Sequence, residues 1–204
     1  VTSLRPVSTV QALAAALRER VLSGDIRPGA SLPEQEISAR YGVARPTVRE
    51  ALATLVHEGL LRREPNRSAY VPEVTPADLA DLMYVRRPLE DLMAEAVAGR
   101  RVAAAEAALE RLAALPPDAP WAAVVGEHMA LHEALVVAAG SPRLERLYGA
   151  LATETRLGMV RLRDVYPDRD ELVAEHRELL ETIARGPREA ARRAVREHLH
   201  WRSG

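Results

Sequence analysis

The sequence contains no cysteine and no lysine. Without thiols it can form neither a disulfide framework nor a thiolate metal site. All 28 of its basic residues are arginine. With the heavy use of alanine, leucine and valine, this marks a GC-rich genome and carries no functional information. No apolar run approaches the roughly 20 residues that a membrane span needs, and the N-terminus lacks the apolar stretch of a signal peptide. The expectation is a soluble, cytoplasmic protein with no membrane partner. Catalytic signatures are also missing. There is no His-Glu-x-x-His motif, no glycine-rich phosphate loop and no thiol nucleophile. Di-iron bundle enzymes need two Glu-x-x-His motifs, and only Glu197 to His200 has that spacing. The chain is therefore read as not an enzyme. No internal repeat or low-complexity tract is visible.

What remains is a chain of 204 residues, 48% hydrophobic and 28% charged, enough for two modest domains with buried cores. Its net charge of −1 hides an asymmetry. Residues 1–72 hold ten arginines against seven acids, and residues 73–204 hold eighteen against twenty-two. A local excess of +3 is a weak nucleic-acid signal on its own.

Ser8 can cap a helix that carries Leu13, Leu17, Val21 and Leu22 at helical spacing and stops at Gly24. After the turn at Pro28-Gly29, Pro33 opens a short helix from Glu34 to Arg40. Tyr41-Gly42-Val43 breaks it. A third helix runs from about Arg45 to Glu58, with Pro46 tolerated in its first turn, and Gly59 ends it. Leu60–Glu64 and Ala69–Val71 read as two short strands joined by a hairpin turn at 65–68. Three helices and a two-stranded wing make a winged helix-turn-helix over residues 1–72. Residues 73–78 read as a linker, with Pro72 and Pro76 stiffening it. Thr75-Pro76 starts a helix, and residues 79–204 show only helical patterning, with later segments near 102–114, 119–139, 142–163, 169–185 and 187–201, separated by Pro and Gly. The expected fold is mostly α, a winged helix followed by an antiparallel bundle of about six helices.

In a helix-turn-helix the second helix enters the major groove. Here Val48, Leu52 and Leu55 face the core, which leaves Arg45, Thr47 and Arg49 outward. Arginine can grip guanine or phosphate, and threonine can do either. Asn66 and Arg67 sit at the wing tip, and Gln35 lies in the preceding helix. Each is also an ordinary solvent-facing residue when taken alone. The stretches Val21–Gly29, Leu32-Pro33-Glu34, Tyr41–Leu52 and Glu58-Gly59-Leu60 resemble the GntR family of winged-helix regulators. The resemblance implies double-stranded operator DNA as a partner, read by a homodimer. The chain departs from that family's usual pattern at Ala44, where serine is common, at Gln35, and at Ser68, where glycine is common.

Six histidines are present. His57 needs no more than a surface role. His128 and His132, four apart, share a helix face. His198 and His200 are two apart, so only one joins that group, and His198 follows the apolar phase of Val195 and Leu199. His176 lies beside Val173, Leu179 and Leu180. Four imidazoles thus point toward one interior, where they can be hydrogen-bonded core groups or ligands for zinc, nickel, copper or iron. A constitutive DNA-binding protein with a purely structural bundle would carry the same helices.

Val85–Glu90, His128–His132, Ala138–Leu144, Glu175-His176 and His198-Leu199 resemble the FCD-type effector domain of one GntR branch. That resemblance implies a divalent metal, zinc first and nickel or another transition metal second, held by an Asp and three His. By position the three are His132, His176 and His198, and His128 stands where the Asp would be. A four-histidine set would still bind a metal and would leave it one negative charge fewer. A small organic acid is the implied effector. Arg86 is its implied cationic partner, with Arg156 and Arg161 as further candidates. The whole is read as a ligand-responsive repressor.

Overall fold

The computed structural model describes residues 8–161 and 168–199, with the Arg161 side chain excluded. The chain divides into two compact units between Glu73 and Val74.

The first unit opens with helix α1, Thr9–Ser23. Ser8 accepts a hydrogen bond from the Gln11 amide at 3.1 Å, and the Gln11 side chain accepts one from the Ser8 amide at 3.2 Å. This reciprocal cap satisfies two otherwise orphaned N–H groups. Gly24, at φ 90°, ends the helix in the left-handed region that favours glycine. Helix α2 spans Glu34–Tyr41 and stops at Gly42, and α3 spans Arg45–His57. Leu13, Leu17 and Val21 of α1 are buried, as are Val48, Leu52 and Leu55 of α3, and these two helices pack together. The apolar spacing read from the sequence is the spacing that is buried.

The wing is more extensive than the sequence suggested. Strand β1, Ser31–Leu32, pairs antiparallel with β2, Ala69–Tyr70. Flanking bonds from the Val71 amide to the Ala30 carbonyl (3.1 Å) and from the Gly29 amide to the Val71 carbonyl (2.8 Å) extend this pairing. The expected strand at 60–64 contributes a bridge at Arg62, which exchanges two 2.9 Å backbone bonds with Tyr70. β1 went unread because two residues between a Gly-Ala turn and a proline present no alternation. At the hairpin tip Asn66 has φ 60°, a conformation asparagine tolerates better than most residues. The left-handed position is Asn66 and not Ser68, so the tip needs no glycine at 68.

The second unit has six helices among the described residues: α4 (Pro76–Val97), α5 (Ala103–Ala114), α6 (Trp121–Ala138), α7 (Pro142–Arg161), α8 (Arg169–Arg185) and α9 (Arg188–His198). The last three residues of the expected linker, 76–78, are therefore helical. Thr75 and Asp78 form a capping box at the start of α4. Helix α6 packs against α5 and α7, α4 against α7 and α9, and α8 against α5 and α9. These contacts enclose one apolar core that includes Met93, Val97, Leu112, Val125, Leu131, Leu135, Leu172 and Val195. No helix is long and apolar enough to cross a membrane among the described residues.

Leu52 is fully buried at the centre of the first unit. Leu52→Ala removes apolar contacts and leaves a cavity, so its unfolding free energy should fall by about 2–5 kcal/mol. Chemical denaturation followed by circular dichroism measures this. A loss below about 1 kcal/mol would place Leu52 outside a packed core.

Candidate metal centre and nucleic-acid interface

The metal-ligating candidates come from three helices. His128 and His132 lie one turn apart on α6, His176 is on α8, and His198 ends α9. Each rides the apolar phase of its helix, so packing of the bundle drives all four rings inward. His128, His132 and His176 are buried, and His198 nearly so. One ligand nitrogen from each residue can be chosen so that all four lie within 4.8 Å of one another. The ring centroids are 4.3–6.2 Å apart.

The polarity of the rings follows from their outer partners. His176 Nδ1 lies 2.6 Å from the Leu172 carbonyl oxygen, which can only accept, so that nitrogen carries the proton. His132 Nδ1 lies 3.3 Å from a Glu90 carboxylate oxygen, and His198 Nδ1 lies 4.0 Å from Glu175. Their inner nitrogens face one another. His132 Nε2 is 3.2 Å from His176 Nε2 and 3.2 Å from His198 Nε2. His176 Nε2 is a lone pair, since its Nδ1 holds the proton, and a proton on His132 Nε2 or a cation among the nitrogens would satisfy the approach. One proton bridges one such pair, whereas a metal ion serves every nitrogen. A tetrahedron of imidazole nitrogens around zinc has edges of roughly 3.3 Å, from bonds of 2.0–2.1 Å. His128 adds a second sign, since both of its ring nitrogens are buried without a hydrogen-bond partner. An unsatisfied buried polar group is costly, and a ligand role would remove the cost. The donor set can therefore hold a divalent ion.

Burial dominates the titration of these rings. It pushes His128 and His198 well below the ordinary histidine value, with the neighbouring imidazoles adding to the effect. His176 falls to about 3, by burial first and His132 second. All three are thus held in the neutral form that ligates metal. Behind them lies a buried charge network. Glu90 is 0% exposed and accepts a hydrogen bond from Arg86, itself 2% exposed. Arg86 also donates to the Tyr148 hydroxyl at 2.9 Å. Burial alone would raise the Glu90 carboxyl, but Arg86 and His132 beside it win and hold it at about 2. Burial pushes the Tyr148 phenol up.

Of the expected effector cations, Arg86 reaches the histidines through Glu90. Arg156 on α7 is partly buried, and its Nε has no hydrogen-bond partner. The Arg161 side chain lies outside the described residues, as does His200. Glu90, Tyr148 and Glu175 were not singled out from the sequence. A signal for Glu90 existed. Leu79, Met83, Arg86, Glu90, Met93 and Val97 are spaced alternately four and three apart along α4, so a charged pair occupies the core stripe.

In the first unit Arg45, Arg49, Gln35, Asn66 and Arg67 are exposed and Thr47 is half-buried. Arg45 opens α3, where Ala44 supplies no side-chain cap and leaves first-turn amides to solvent or phosphate. Arg49 is not a free cation. Its Nε and Nη2 donate to the two oxygens of Glu34 at 3.2 and 3.0 Å, and Arg63 stands 3.7 Å from the same carboxylate. The Arg49 hydrogen bond lowers the Glu34 carboxyl below its usual range. Arg67 pairs with Glu64 at 3.0 Å.

Two family models match the chain: bacterial regulatory proteins of the gntR family over residues 9–71, and the FCD domain over residues 81–200. The chain belongs to the GntR family. An HTH-type transcriptional regulator from an unstable DNA locus of Streptomyces ambofaciens is 31% identical over 208 residues, covering 90% of this chain and 78% of that protein. The transcriptional repressor RspR of Escherichia coli K12 is 34% identical over 98 residues, 48% of this chain and 43% of its own length. Among solved structures, a Rhodococcus sp. RHA1 protein described as a GntR transcriptional regulator superposes with a TM-score of 0.80 at 27% identity, covering 93% of each chain. This GntR member is a transcription regulator and not an enzyme. Its helix-turn-helix implies DNA as a partner, and its FCD domain implies a small-molecule effector.

The depressed histidines set the acid behaviour of the metal-free chain. The unfolded chain takes up protons near pH 6.5, while folded His176 resists until about 3. Stability is therefore fully present above about pH 6.5 and falls as pH drops through the window toward 3, by up to about 1.4 kcal/mol per pH unit for each such histidine. Thermal melts in chelator should show a lower Tm at pH 5 than at pH 7.5. An unchanged Tm would mean that these rings are not held neutral by burial.

Proposed function

We propose that this GntR regulator is a repressor that binds a pseudo-palindromic operator as a homodimer and is released by a small organic acid bound beside a divalent metal ion. The observation that carries this reading is the convergence of four imidazoles, two of them with inner ring nitrogens 3.2 Å apart, in the core of an FCD domain. Zinc fits the nitrogen donors and their spacing, with nickel as the next choice. His128, His132, His176 and His198 would hold the ion. Bound there, it would supply positive charge that the four neutral ligands do not cancel. Arg156, with its unsatisfied Nε, supports a carboxylate contact more directly than Arg86, which is already engaged with Glu90 and Tyr148. Arg161 remains a candidate for the same contact.

The homodimer follows from the target. One winged helix buries too little DNA for genomic specificity, and two-fold dimers read two-fold sites. Arg45, Thr47 and Arg49 would meet base edges or phosphates from α3, with Gln35 beside them. Asn66 and Arg67 would reach the backbone or minor groove from the wing. To reach DNA, Arg49 must exchange Glu34 for a base or phosphate. An exposed pair of this kind is worth little, so the exchange is cheap. The effector must favour the DNA-free arrangement, since equal affinity for both would shift nothing.

Arg45→Ala and Arg49→Ala should each weaken operator binding by about 1–3 kcal/mol and relax base preference. Arg67→Ala should weaken all sequences alike and flatten the salt dependence. Gel-shift titrations over a range of salt measure both. Wild-type affinity in both helix variants would remove α3 as the reading helix. A thermal-shift screen of metal-loaded protein against small carboxylates should find a stabilising ligand that also releases operator. His132→Ala should lose that response while keeping basal operator binding. A full response in His132→Ala would separate the effector from the histidines.

A further inference from the structure

We infer that Glu90 is the positioning residue of this metal centre, a buried carboxylate that orients His132 and balances charge behind the ligand shell while Arg86 and Tyr148 fix it in place. The inference rests on the metal-site reading above and names a residue outside the ligand set.

The geometry is specific. His132 Nδ1 and Glu90 Oε2 are 3.3 Å apart. Both atoms are buried and neither has a hydrogen-bond partner, so each is the nearest polar group that can satisfy the other. The other Glu90 oxygen accepts from Arg86 Nη2, the same nitrogen that donates to Tyr148. The Arg86 guanidinium also lies 5.2 Å from the centroid of the Tyr148 ring. Glu90 thus has one oxygen pinned and one aimed at His132. An imidazole whose Nδ1 faces a carboxylate carries its proton there and presents Nε2 as a lone pair. That Nε2 is the nitrogen that meets His176 and His198 at 3.2 Å.

Charge gives a second reason. Four neutral imidazoles leave a bound divalent ion uncompensated, and the nearest full negative charge in the core is Glu90. A carboxylate hydrogen-bonded to a ligating histidine raises the ligand's basicity and fixes its ring, and removing such a partner typically costs 10–100-fold in metal affinity. Arg86 then acts through Glu90. Its buried position serves the carboxylate, which a lone arginine in an apolar core could not explain.

The test is zinc affinity of the full chain, measured by competition with a chromophoric chelator. Glu90→Gln should bind zinc about 10–100-fold more weakly than wild type. Because this change leaves the Arg86 charge buried, the charge-balanced double variant Arg86→Met with Glu90→Gln is measured beside it and should show the same loss. Melting of the metal-free variants separates a folding defect from a binding defect. A spectroscopic readout needs no variant. In the zinc-loaded wild type, proton NMR should show an exchange-protected imidazole N–H at His132 Nδ1. Zinc affinity within twofold of wild type in a folded variant would overturn the role of Glu90. If neither variant folds, the NMR signal decides, and its absence overturns the role. A wild-type chain that takes up no zinc, nickel or cobalt would instead overturn the metal-site reading itself.

Discussion

Imidazole nitrogens that meet inside an apolar bundle are the constraint on which the helical unit turns. Burying an unsatisfied polar nitrogen costs on the order of 1–3 kcal/mol. His128 has two such nitrogens, and His132, His176 and His198 direct theirs at one another. A core evolved for stability alone would hold leucine at these positions. A metal ion among them would offset the cost for His128, and the N···N contacts at 3.2 Å offset part of it for the others. Leu172 lies at the outer nitrogen of His176 and Glu90 at that of His132, and burial keeps His128 and His176 neutral.

The helices that carry the histidines are held by ordinary apolar packing, and that division of labour matters. Leu131 and Leu135 on α6, Leu179 and Ile183 on α8, and Val195 on α9 are buried on the same sides as the histidines. Apolar packing is what holds this frame together. A metal ion and an effector, if both bind as proposed, would shift an equilibrium between arrangements of a folded protein without having to fold it. The first unit follows similar rules with different chemistry. Its core aligns α3 and leaves arginines outward, several of them already paired with carboxylates. Glu34 holds Arg49 and approaches Arg63, and Glu64 holds Arg67. Such pairs restrain the cations, and a phosphate would have to compete with the carboxylates for them.

Much of this was legible in the residues. The Ser8 and Thr75 starts, the Gly24 and Gly42 stops, and the phase of Val48, Leu52 and Leu55 follow from local rules that packing did not override. The four histidines were legible because helical phase sorts inward from outward. β1 was not legible, since a two-residue strand gains its identity only from the partner at Ala69–Tyr70. Glu90 was missed for a different reason. A glutamate on a helix reads as solvated unless its phase is checked against Met83 and Met93, and the resemblance drew attention to Arg86 alone. The pairing of Arg49 with Glu34 joins residues fifteen apart on two helices and needs the fold to be seen.

The histidine cluster is proposed to hold one cation. The most direct test is the metal content of the full chain purified without chelator and without nickel resin, measured by mass spectrometry against protein concentration. Close to one divalent transition-metal ion per chain is expected, removable by chelator and restored stoichiometrically by zinc. Substoichiometric metal that no added ion raises would contradict it and would return His128, His132, His176 and His198 to the structural core.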